Sequence, residues 1–338
     1  MAMDAILLGK SLDELSEIAC DVGAPEYRGR QLAEWLYKQH AESFDEMSNL
    51  PAALRQELAR GYRLGRASPT HTTVSQDGSR KYLFAYDSEI GIETALIPDR
   101  DRRTLCISTQ AGCRRGCRFC FTAKAGFHGN LSAAEILNQY ASCPERDSVS
   151  NIVFMGMGEP FDNPDAVLRA IDVFTADYGY AKSPGRLTVS TVGVIPQVER
   201  YLREARSHLA VSLNSPFPAE RAELMPAERK YPIRDLLKIL RNYDWSGQRR
   251  LTFEYIMFAD LNDSRRHAEA VVKMLRGLEC RVNLIAFNEC PGIDMHSSGR
   301  DAIESFQQCL RAQGIRATVR KSKGRDIAAA CGQLSGGG

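Results

Sequence analysis

The chain of 338 residues lacks any apolar run that approaches the roughly 18 residues needed to span a bilayer. Its first twenty residues hold one short apolar patch among acidic residues, without the basic start and longer apolar stretch of a secretory signal. Strong net charge is also absent, since the formal value is only +2. These absences predict a cytoplasmic protein that does not associate with a membrane.

A fourth cysteine is missing where a zinc site would need one. The segment GCRRGCRFC places thiols at Cys113, Cys117 and Cys120, and no second pair follows at zinc-finger spacing. A four-iron cluster held by three thiolates, in contrast, keeps one iron open to another ligand. The remaining cysteines are too unevenly spaced to indicate a disulfide framework. We expect four of them to be ordinary buried residues: Cys20, Cys143, Cys280 and Cys309.

Positive charge is concentrated in two segments although the total is balanced. Residues 99–130 hold seven Lys or Arg against two Asp or Glu, and residues 311–325 hold six against none. Residues 1–62 are instead acidic, with six Lys or Arg against eleven Asp or Glu. Local positive charge suits a polyanionic substrate such as RNA, because each phosphate contact releases counterions. A solvated basic face is the alternative explanation.

Apolar periodicity divides the chain into three parts. Residues 1–65 carry apolar positions at helical spacing, as in RGRQLAEWLYKQH and LPAALRQELARGY, and predict a small helical domain. Residues 66–98 predict a short β linker with a hairpin, in GSRKYLFAYDSEIGIETALIP. Residues 99–338 alternate β-rich runs with amphipathic helical stretches, which predicts a parallel sheet covered by helices. The runs are TLCIST, NIVFMGMG, RLTVSTVGV, HLAVSLN, RLTFEYIMF, RVNLIAFN and RATVR.

The periodicity leaves open whether the sheet closes into a barrel. Polar residues and cysteines gather just after the predicted strands, where parallel α/β folds build their sites. The sequence therefore predicts a site at the carboxyl edge of the sheet.

Several motifs together resemble one enzyme family. The CxxxCxxC spacing of the three cysteines resembles that of the radical S-adenosylmethionine (SAM) superfamily. The wider pattern is similar, in order and spacing, to the RlmN/Cfr family of RNA adenine methyltransferases, from about Gly91 to Leu334. The matching segments are TLCISTQAGCRRGCRFC, FMGMGEP, LTVSTVGVIP, AVSLNSPFPAERAELMP, FEYIMFADLND, VNLIAFN and DIAAACGQL. This resemblance implies a partial (β/α)6 barrel with a small N-terminal helical accessory domain that contacts RNA.

The resemblance also assigns the cofactor residues. Cys113, Cys117 and Cys120 would bind one [4Fe-4S] cluster, whose open iron is chelated by SAM. Gly158 and Glu159 would hold the amino group of SAM, a role that suits a backbone carbonyl and a carboxylate. The rest of the SAM pocket would consist of Ser190, Ser212, Leu213, Asn214 and Asn288. The family usually has His where this chain has Asn214. The resemblance therefore implies a SAM contact by the backbone of Asn214, and no role of an imidazole.

The chemistry that the resemblance implies uses two further cysteines. Adenine C2 is electron-poor and no nucleophile, so direct methyl transfer from SAM cannot work. In this family one SAM methylates a cysteine, here Cys331, and a second SAM gives the radical that abstracts hydrogen from that methyl group. The resulting carbon radical adds to the base. Cys106 would then release the product by forming a disulfide with Cys331, and Glu93 would act as base for the C2 proton.

Several alternatives and partners follow from the same resemblance. RlmN relatives methylate C2 and Cfr relatives methylate C8, and both share the residues named above. The segments FCFTAKAGF and NECPG resemble the RlmN branch and favour C2. Outside the family, the alternatives are a radical SAM activase and an RNA-binding protein with a structural cluster.

The implied substrate is an adenosine in 23S rRNA and, as a second possibility, an adenosine beside the anticodon in some tRNAs. The implied electron donor is a reduced flavodoxin or ferredoxin. We expect the protein to act as a monomer.

Overall fold

The N-terminal region is helical, as the periodicity predicts. The computed structural model describes residues 5–86 and 89–335 of the chain. Strand β1 (Ala5–Ile6) pairs in parallel with β2 (Tyr62–Arg63), which ties the two ends of the region together. Between them lie helices α1 (Leu12–Asp21), α2 (Arg28–Tyr37) and α3 (Ala52–Gly61).

Helix α1 begins at a capping box that can be recognised in the sequence. The Ser11 hydroxyl accepts a hydrogen bond from the backbone N–H of Glu14 at 3.2 Å, and the Glu14 carboxylate accepts one from the N–H of Ser11 at 2.7 Å. Helix α2 buries Leu32 and Leu36 in the core. The predicted helices over residues 28–40 and 50–62 are thus confirmed, each three residues shorter.

Three antiparallel strands follow: β3 (His71–Val74), β4 (Arg80–Phe84) and β5 (Ile92–Asp99). Strands β4 and β5 form the predicted hairpin, although residues 87 and 88 of its connection lie outside the described residues. Strand β5 pairs with β6 (Arg102–Ile107), so these strands extend the main sheet. The domain boundaries at residues 65 and 98 stay predictions.

From β6 onward, each strand of the main sheet runs parallel to its neighbours on that side of the sheet. After β6, a separate small hairpin contains β7 (Gln110–Gly112) and β8 (Phe127–Asn130). The sheet then continues with β9 (Asn151–Phe154), β10 (Leu187–Thr191), β11 (His208–Ser212), β12 (Leu251–Met257), β13 (Arg281–Ala286) and β14 (Arg316–Arg320). Every β-rich run predicted from the sequence overlaps one of the strands of the main sheet.

The order of the ten strands follows the chain, from β3 at one edge through β6 and β9 to β14 at the other. Within the described residues, β6 and β9 to β14 form seven parallel strands, and the two edge strands do not pair with each other. The α/β class and the parallel sheet covered by helices are confirmed. Strand β14 adds one parallel strand to the six of the expected partial barrel.

Helices between the strands cover the sheet. They are α4 (Phe121–Lys124), α5 (Ala133–Ala141), α6 (Pro164–Thr175), α7 (Ile195–Glu204), α8 (Pro218–Leu224), α9 (Ile233–Asn242), α10 (Arg265–Leu275) and α11 (Arg300–Ala312). Helix α9 shows why they pack as they do. Its Ile233, Leu236, Leu237 and Leu240 recur at helical spacing and are all buried. Across the described ranges, no helix is both long and apolar enough to cross a membrane.

All ten cysteines are free thiols. Cys143 is buried, as expected for an ordinary apolar residue, and Cys280 and Cys309 are half-buried. The expectation for Cys20 is wrong, because this residue lies exposed near the end of helix α1. Helical spacing places it beside the buried Ala19 but on the solvent side of the helix.

A candidate active site at the carboxyl edge of the parallel strands

The cysteine loop, residues 113–120, folds back tightly beside β7 and β8. The backbone N–H of Cys113 donates to the Gly126 carbonyl at 2.7 Å, and that of Cys120 donates to the Cys117 carbonyl at 3.1 Å. Gly112 makes the fold-back possible. Its φ is +73°, and a Cβ there would lie 1.9 Å from the Gly126 oxygen. Glycine is therefore required directly before the first cysteine.

The three thiols of the loop are close enough to influence one another. Burial raises the pKa of Cys117 well above its usual value, and the thiols of Cys120 and Cys113 raise it further. Burial likewise raises the pKa of Cys113 to about 12, with Cys120 adding to the effect. Binding of iron by these residues must therefore displace thiol protons.

The donor set fits an iron–sulfur cluster better than a single ion. In the part of the chain that the structure describes, no group of three or more His, Cys, Asp or Glu residues could hold one metal ion. A four-iron cluster places each ligand on a separate iron, so its thiolates stand farther apart than the ligands of one ion do. Three neighbouring thiolates could each bind a separate iron, which would leave the fourth iron without a protein ligand.

Glu159 is a buried carboxylate in the loop after strand β9, five residues beyond the end of the strand. It accepts hydrogen bonds from the Thr191 hydroxyl at 2.7 Å, the Val192 N–H at 2.9 Å and the Phe161 N–H at 3.1 Å. Burial nevertheless raises the pKa of Glu159 to about 7, although these donors oppose the shift. A carboxylate in such a setting gains from a nearby cation, as the ammonium group of SAM would be.

Gly158 precedes this carboxylate and also needs to be glycine. Its φ is +96°, and a Cβ would lie 2.5 Å from the Cβ of Gln110. The same Gln110 accepts a hydrogen bond from the Glu159 N–H at 2.8 Å through its side-chain oxygen. The close approach of two loops therefore fixes the position of the predicted ammonium-binding pair.

The remaining predicted SAM residues lie at the same edge of the sheet. Ser190 is on β10 and Ser212 ends β11, with Leu213 directly after it. Asn288 follows β13 by two residues; it is buried, and its side-chain oxygen has no hydrogen-bond partner among the described residues. A buried acceptor without a partner is unusual in a folded protein and points to a ligand.

The polar groups of Asn214 form hydrogen bonds within the protein. Its side-chain oxygen accepts from the Ile256 N–H at 2.8 Å, and its backbone carbonyl accepts from the Asn262 side chain at 2.7 Å. Its φ of +54° lies in the left-handed region, which Asn tolerates better than most residues. The amide therefore braces the loop after β11 against β12.

The structure brings together the two thiols that the family chemistry requires. Cys106 is on strand β6, and Cys331 is in the C-terminal segment. Burial raises the pKa of Cys106 to about 12, and the nearby Cys331 thiol adds to the shift. The pKa of Cys331 is raised to about 11, mainly by desolvation. The Glu254 carboxylate and, more weakly, the Cys120 thiol raise it further. Although Cys331 as a residue is exposed, its sulfur lies among these groups.

Glu93 lies on strand β5 and is held by the same C-terminal segment. Its carboxylate forms an ion pair with Lys81 at 2.8 Å and accepts the Ser335 N–H at 2.7 Å. The side chain is only 2% exposed. Ser335 follows Cys331 by four residues, so the predicted base contacts the same C-terminal segment that carries the predicted methyl carrier.

Several residues of this site escaped the sequence analysis. Cys290 donates a hydrogen bond to the Asn288 carbonyl at 3.3 Å and lies near Cys120. Arg320, expected to contact RNA, also lies 3.9 Å from Glu254 and close to both reactive thiols. Arg221, charged and in a polar stretch of sequence, is completely buried. Charge alone would place the two arginines on the surface, whereas the burial of Cys290 follows the general tendency of free cysteine.

Comparisons with known proteins agree with this geometry. A model of the Radical SAM superfamily matches residues 107–271, and one of the ribosomal RNA large subunit methyltransferase N-terminal domain matches residues 6–63. A relative from Porphyromonas gingivalis (strain W83), named probable dual-specificity RNA methyltransferase RlmN, is 50% identical over 98% of this chain and 96% of its own length. A relative of the same name from Phocaeicola vulgatus is 48% identical over 97% of this chain and 94% of its own length.

A solved structure is similar over the same range. The crystal structure of a radical SAM methyltransferase from Sphaerobacter thermophilus superposes with a TM-score of 0.92 at 41% identity. The superposition covers 98% of this chain and 99% of that one. Both the helical N-terminal region and the sheet are thus shared with a solved relative.

Proposed function

The chain belongs to the RlmN family of radical SAM RNA methyltransferases, and on that premise we propose that it methylates C2 of one adenosine in 23S rRNA. The same site would also serve an adenosine beside the anticodon of tRNA, as the dual-specificity name of the relatives suggests. We further propose a cytoplasmic monomer that takes electrons from a reduced flavodoxin or ferredoxin. Each methylation consumes two SAM molecules.

The observation that carries this proposal is the pair of thiols, Cys106 and Cys331, beside the cysteine loop. A radical SAM enzyme that only cleaves SAM needs the three cluster cysteines alone. Here two more thiols are present: the Cys106 thiol is influenced by Cys331, and the Cys331 thiol is influenced by Cys120. Such a pair suits a mechanism in which the methyl group is first transferred to a protein sulfur. This favours the methyltransferase over a radical SAM activase and over an RNA-binding protein with a structural cluster.

Each residue of the site has a role in this chemistry. The thiolates of Cys113, Cys117 and Cys120 would hold a [4Fe-4S] cluster, which when bound supplies the electron for reductive cleavage of SAM. Glu159 and the Gly158 carbonyl orient the SAM ammonium. The side-chain oxygen of Asn288 is available to a donor group of SAM.

The residues that face the base act in sequence. Cys331 loses its thiol proton and accepts a methyl group from the first SAM. After the methyl carbon has bonded to C2, Glu93 accepts the C2 proton. One electron passes from the adduct radical back to the electron-transfer chain. The thiolate of Cys106 then attacks the Cys331 sulfur, the sulfur–carbon bond breaks as a disulfide forms, and the carbon that leaves with the electron pair takes up a proton to complete the methyl group. External reductant restores both thiols.

RNA from cells that lack the gene tests the proposed position of methylation. We expect mass spectrometry of nucleosides to show loss of 2-methyladenosine, and its return when the gene is supplied on a plasmid. Loss of 8-methyladenosine instead would identify the Cfr-type reaction. Unchanged methyladenosines of both kinds would contradict the proposal.

Basic residues near the C-terminus test the binding of RNA. Lys321 and Arg325 are exposed beside the site, and we expect the double substitution K321E/R325E to weaken RNA binding. The slope of log affinity against log salt should fall by about one for each phosphate that the variant no longer binds. Arg320 is left intact because it also lies beside the reactive thiols.

A charge reversal elsewhere on the surface is the control. Arg265 is exposed on the outer helix α10 and pairs with Glu269. Filter binding at several salt concentrations should give R265E the affinity and slope of the native protein. Equal losses of affinity in R265E and K321E/R325E would show that the C-terminal basic segment is only a solvated face.

A further inference from the structure

Arg221 is a buried cation with several backbone partners. It lies on α8, is 0% exposed, and forms an ion pair with the buried Glu228. Its Nε donates to the Leu213 carbonyl at 3.1 Å, and its Nη2 donates to the carbonyls of Ser212 and Val192, each at 2.8 Å. One guanidinium therefore joins the loop after β10 to the loop after β11.

These carbonyls belong to the predicted SAM pocket. Ser212 and Leu213 are themselves predicted SAM residues, and Val192 connects Arg221 with a third. The Val192 N–H donates to the Glu159 carboxylate at 2.9 Å while its carbonyl accepts from Arg221. The guanidinium thus acts on the proposed ammonium-binding carboxylate through the backbone of a single residue.

The same helix also touches the cysteine loop. The N–H of Arg118 donates to the carbonyl of Leu224, the last residue of α8, at 3.0 Å. Cys117 packs in one apolar cluster with Leu224 and Met225. The side chain of Arg221 therefore hydrogen-bonds to the ends of the β10 and β11 segments. Its own helix, α8, packs against the cysteine loop.

A buried charge of this kind is costly unless it serves several partners at once. Removing a carboxylate and a guanidinium from water often costs more than their attraction returns. Lysine could not replace the arginine, because its single ammonium lacks the planar fork that reaches partners on different sides. Glu228 is itself fixed by the Ile233 N–H at 2.9 Å, so the pair is rigidly seated.

We propose that Arg221 is a positioning residue for SAM: it sets the spacing of Glu159, Ser212 and Leu213 so that SAM can bind at the open iron. This inference rests on the proposed function, since it assumes that SAM occupies this pocket. Arg221 itself does not touch SAM. Its effect passes through the backbone of Val192 and the carbonyls of Ser212 and Leu213.

The test is SAM binding by the Arg221→Lys variant. Anaerobically reconstituted holoenzyme would be dialysed to equilibrium with labelled SAM at a temperature where circular dichroism shows it folded. We expect R221K to keep its iron and to bind SAM about tenfold more weakly or worse, because charged hydrogen bonds to two loops are removed. If R221K proves insoluble, the double variant R221M/E228M removes both buried charges together and should show the same loss of affinity.

Arg249 provides the matched control. It is another buried arginine that donates to backbone carbonyls, those of Tyr201 and Leu202, but it precedes β12 at the opposite edge of the sheet. R249K should lower Tm without changing SAM affinity. Native SAM affinity in folded R221K, or equal losses of affinity in R221K and R249K, would overturn the inference. Failure of the native holoenzyme to bind SAM would instead overturn the proposed function and this inference with it.

Discussion

Replacing Cys117 with alanine is expected to remove both the iron and the methyltransferase activity. Cys117 is the middle thiol of the loop, is only 9% exposed, and is influenced by both other thiols of the triad. Two remaining thiolates cannot hold a four-iron cluster in place. The native protein purified without air should be brown and carry about four irons. Iron analysis, visible absorption and a methylation assay would be made on the same samples.

Cys309→Ala is the matched control, since Cys309 is half-buried on the outer helix α11 and distant in sequence from the loop. This variant should keep about four irons and native activity. An iron-free Cys117→Ala protein that still methylates RNA would contradict the cluster assignment. Loss of iron from Cys309→Ala as well would mean that cysteine substitutions act through general instability.

The sheet and the position of the site could be predicted from sequence because their causes are local. Runs such as HLAVSLN are apolar over consecutive residues, as strands buried on both faces are. Parallel strands end at one edge, so polar residues placed just after them, such as Glu159 and Asn288, must gather there. The motif resemblance then assigned cofactor-binding and catalytic roles to residues that the strand pattern already predicted to lie close together.

The burial of Glu93 and the internal position of Arg221, in contrast, depend on contacts between distant segments, which the sequence does not show. Glu93 is buried because Lys81 and Ser335 enclose its carboxylate, and Ser335 lies at the far end of the chain. Arg221 is indistinguishable in sequence from the exposed Arg229, yet three backbone carbonyls and Glu228 surround it in the fold. Charge alone indicates a surface residue, so only the tertiary structure shows that this arginine is an internal support.

The pair Cys106 and Cys331 gives the other large expected effect. While the methyl carbon is bonded to both the base and the Cys331 sulfur, release requires a second thiol. We expect Cys106→Ala to retain its iron, to methylate Cys331 and to react with RNA, but to stall as a covalent protein–RNA species. Cys331→Ala lacks the carrier and should form no such species. Denaturing gels after incubation with SAM, reductant and labelled RNA would show a slow band that nuclease collapses.

Cys290 makes this experiment discriminating, because it is a third thiol near Cys120 and Asn288 and could in principle attack the same sulfur. Its hydrogen bond to the Asn288 carbonyl directs it away from that role, whereas the Cys106 thiol is influenced directly by Cys331. Cys290→Ala should therefore turn over without a trapped band. A trapped band in Cys290→Ala together with normal turnover by Cys106→Ala would reassign the releasing thiol, and an adduct in Cys331→Ala would show that the methyl group travels by another residue.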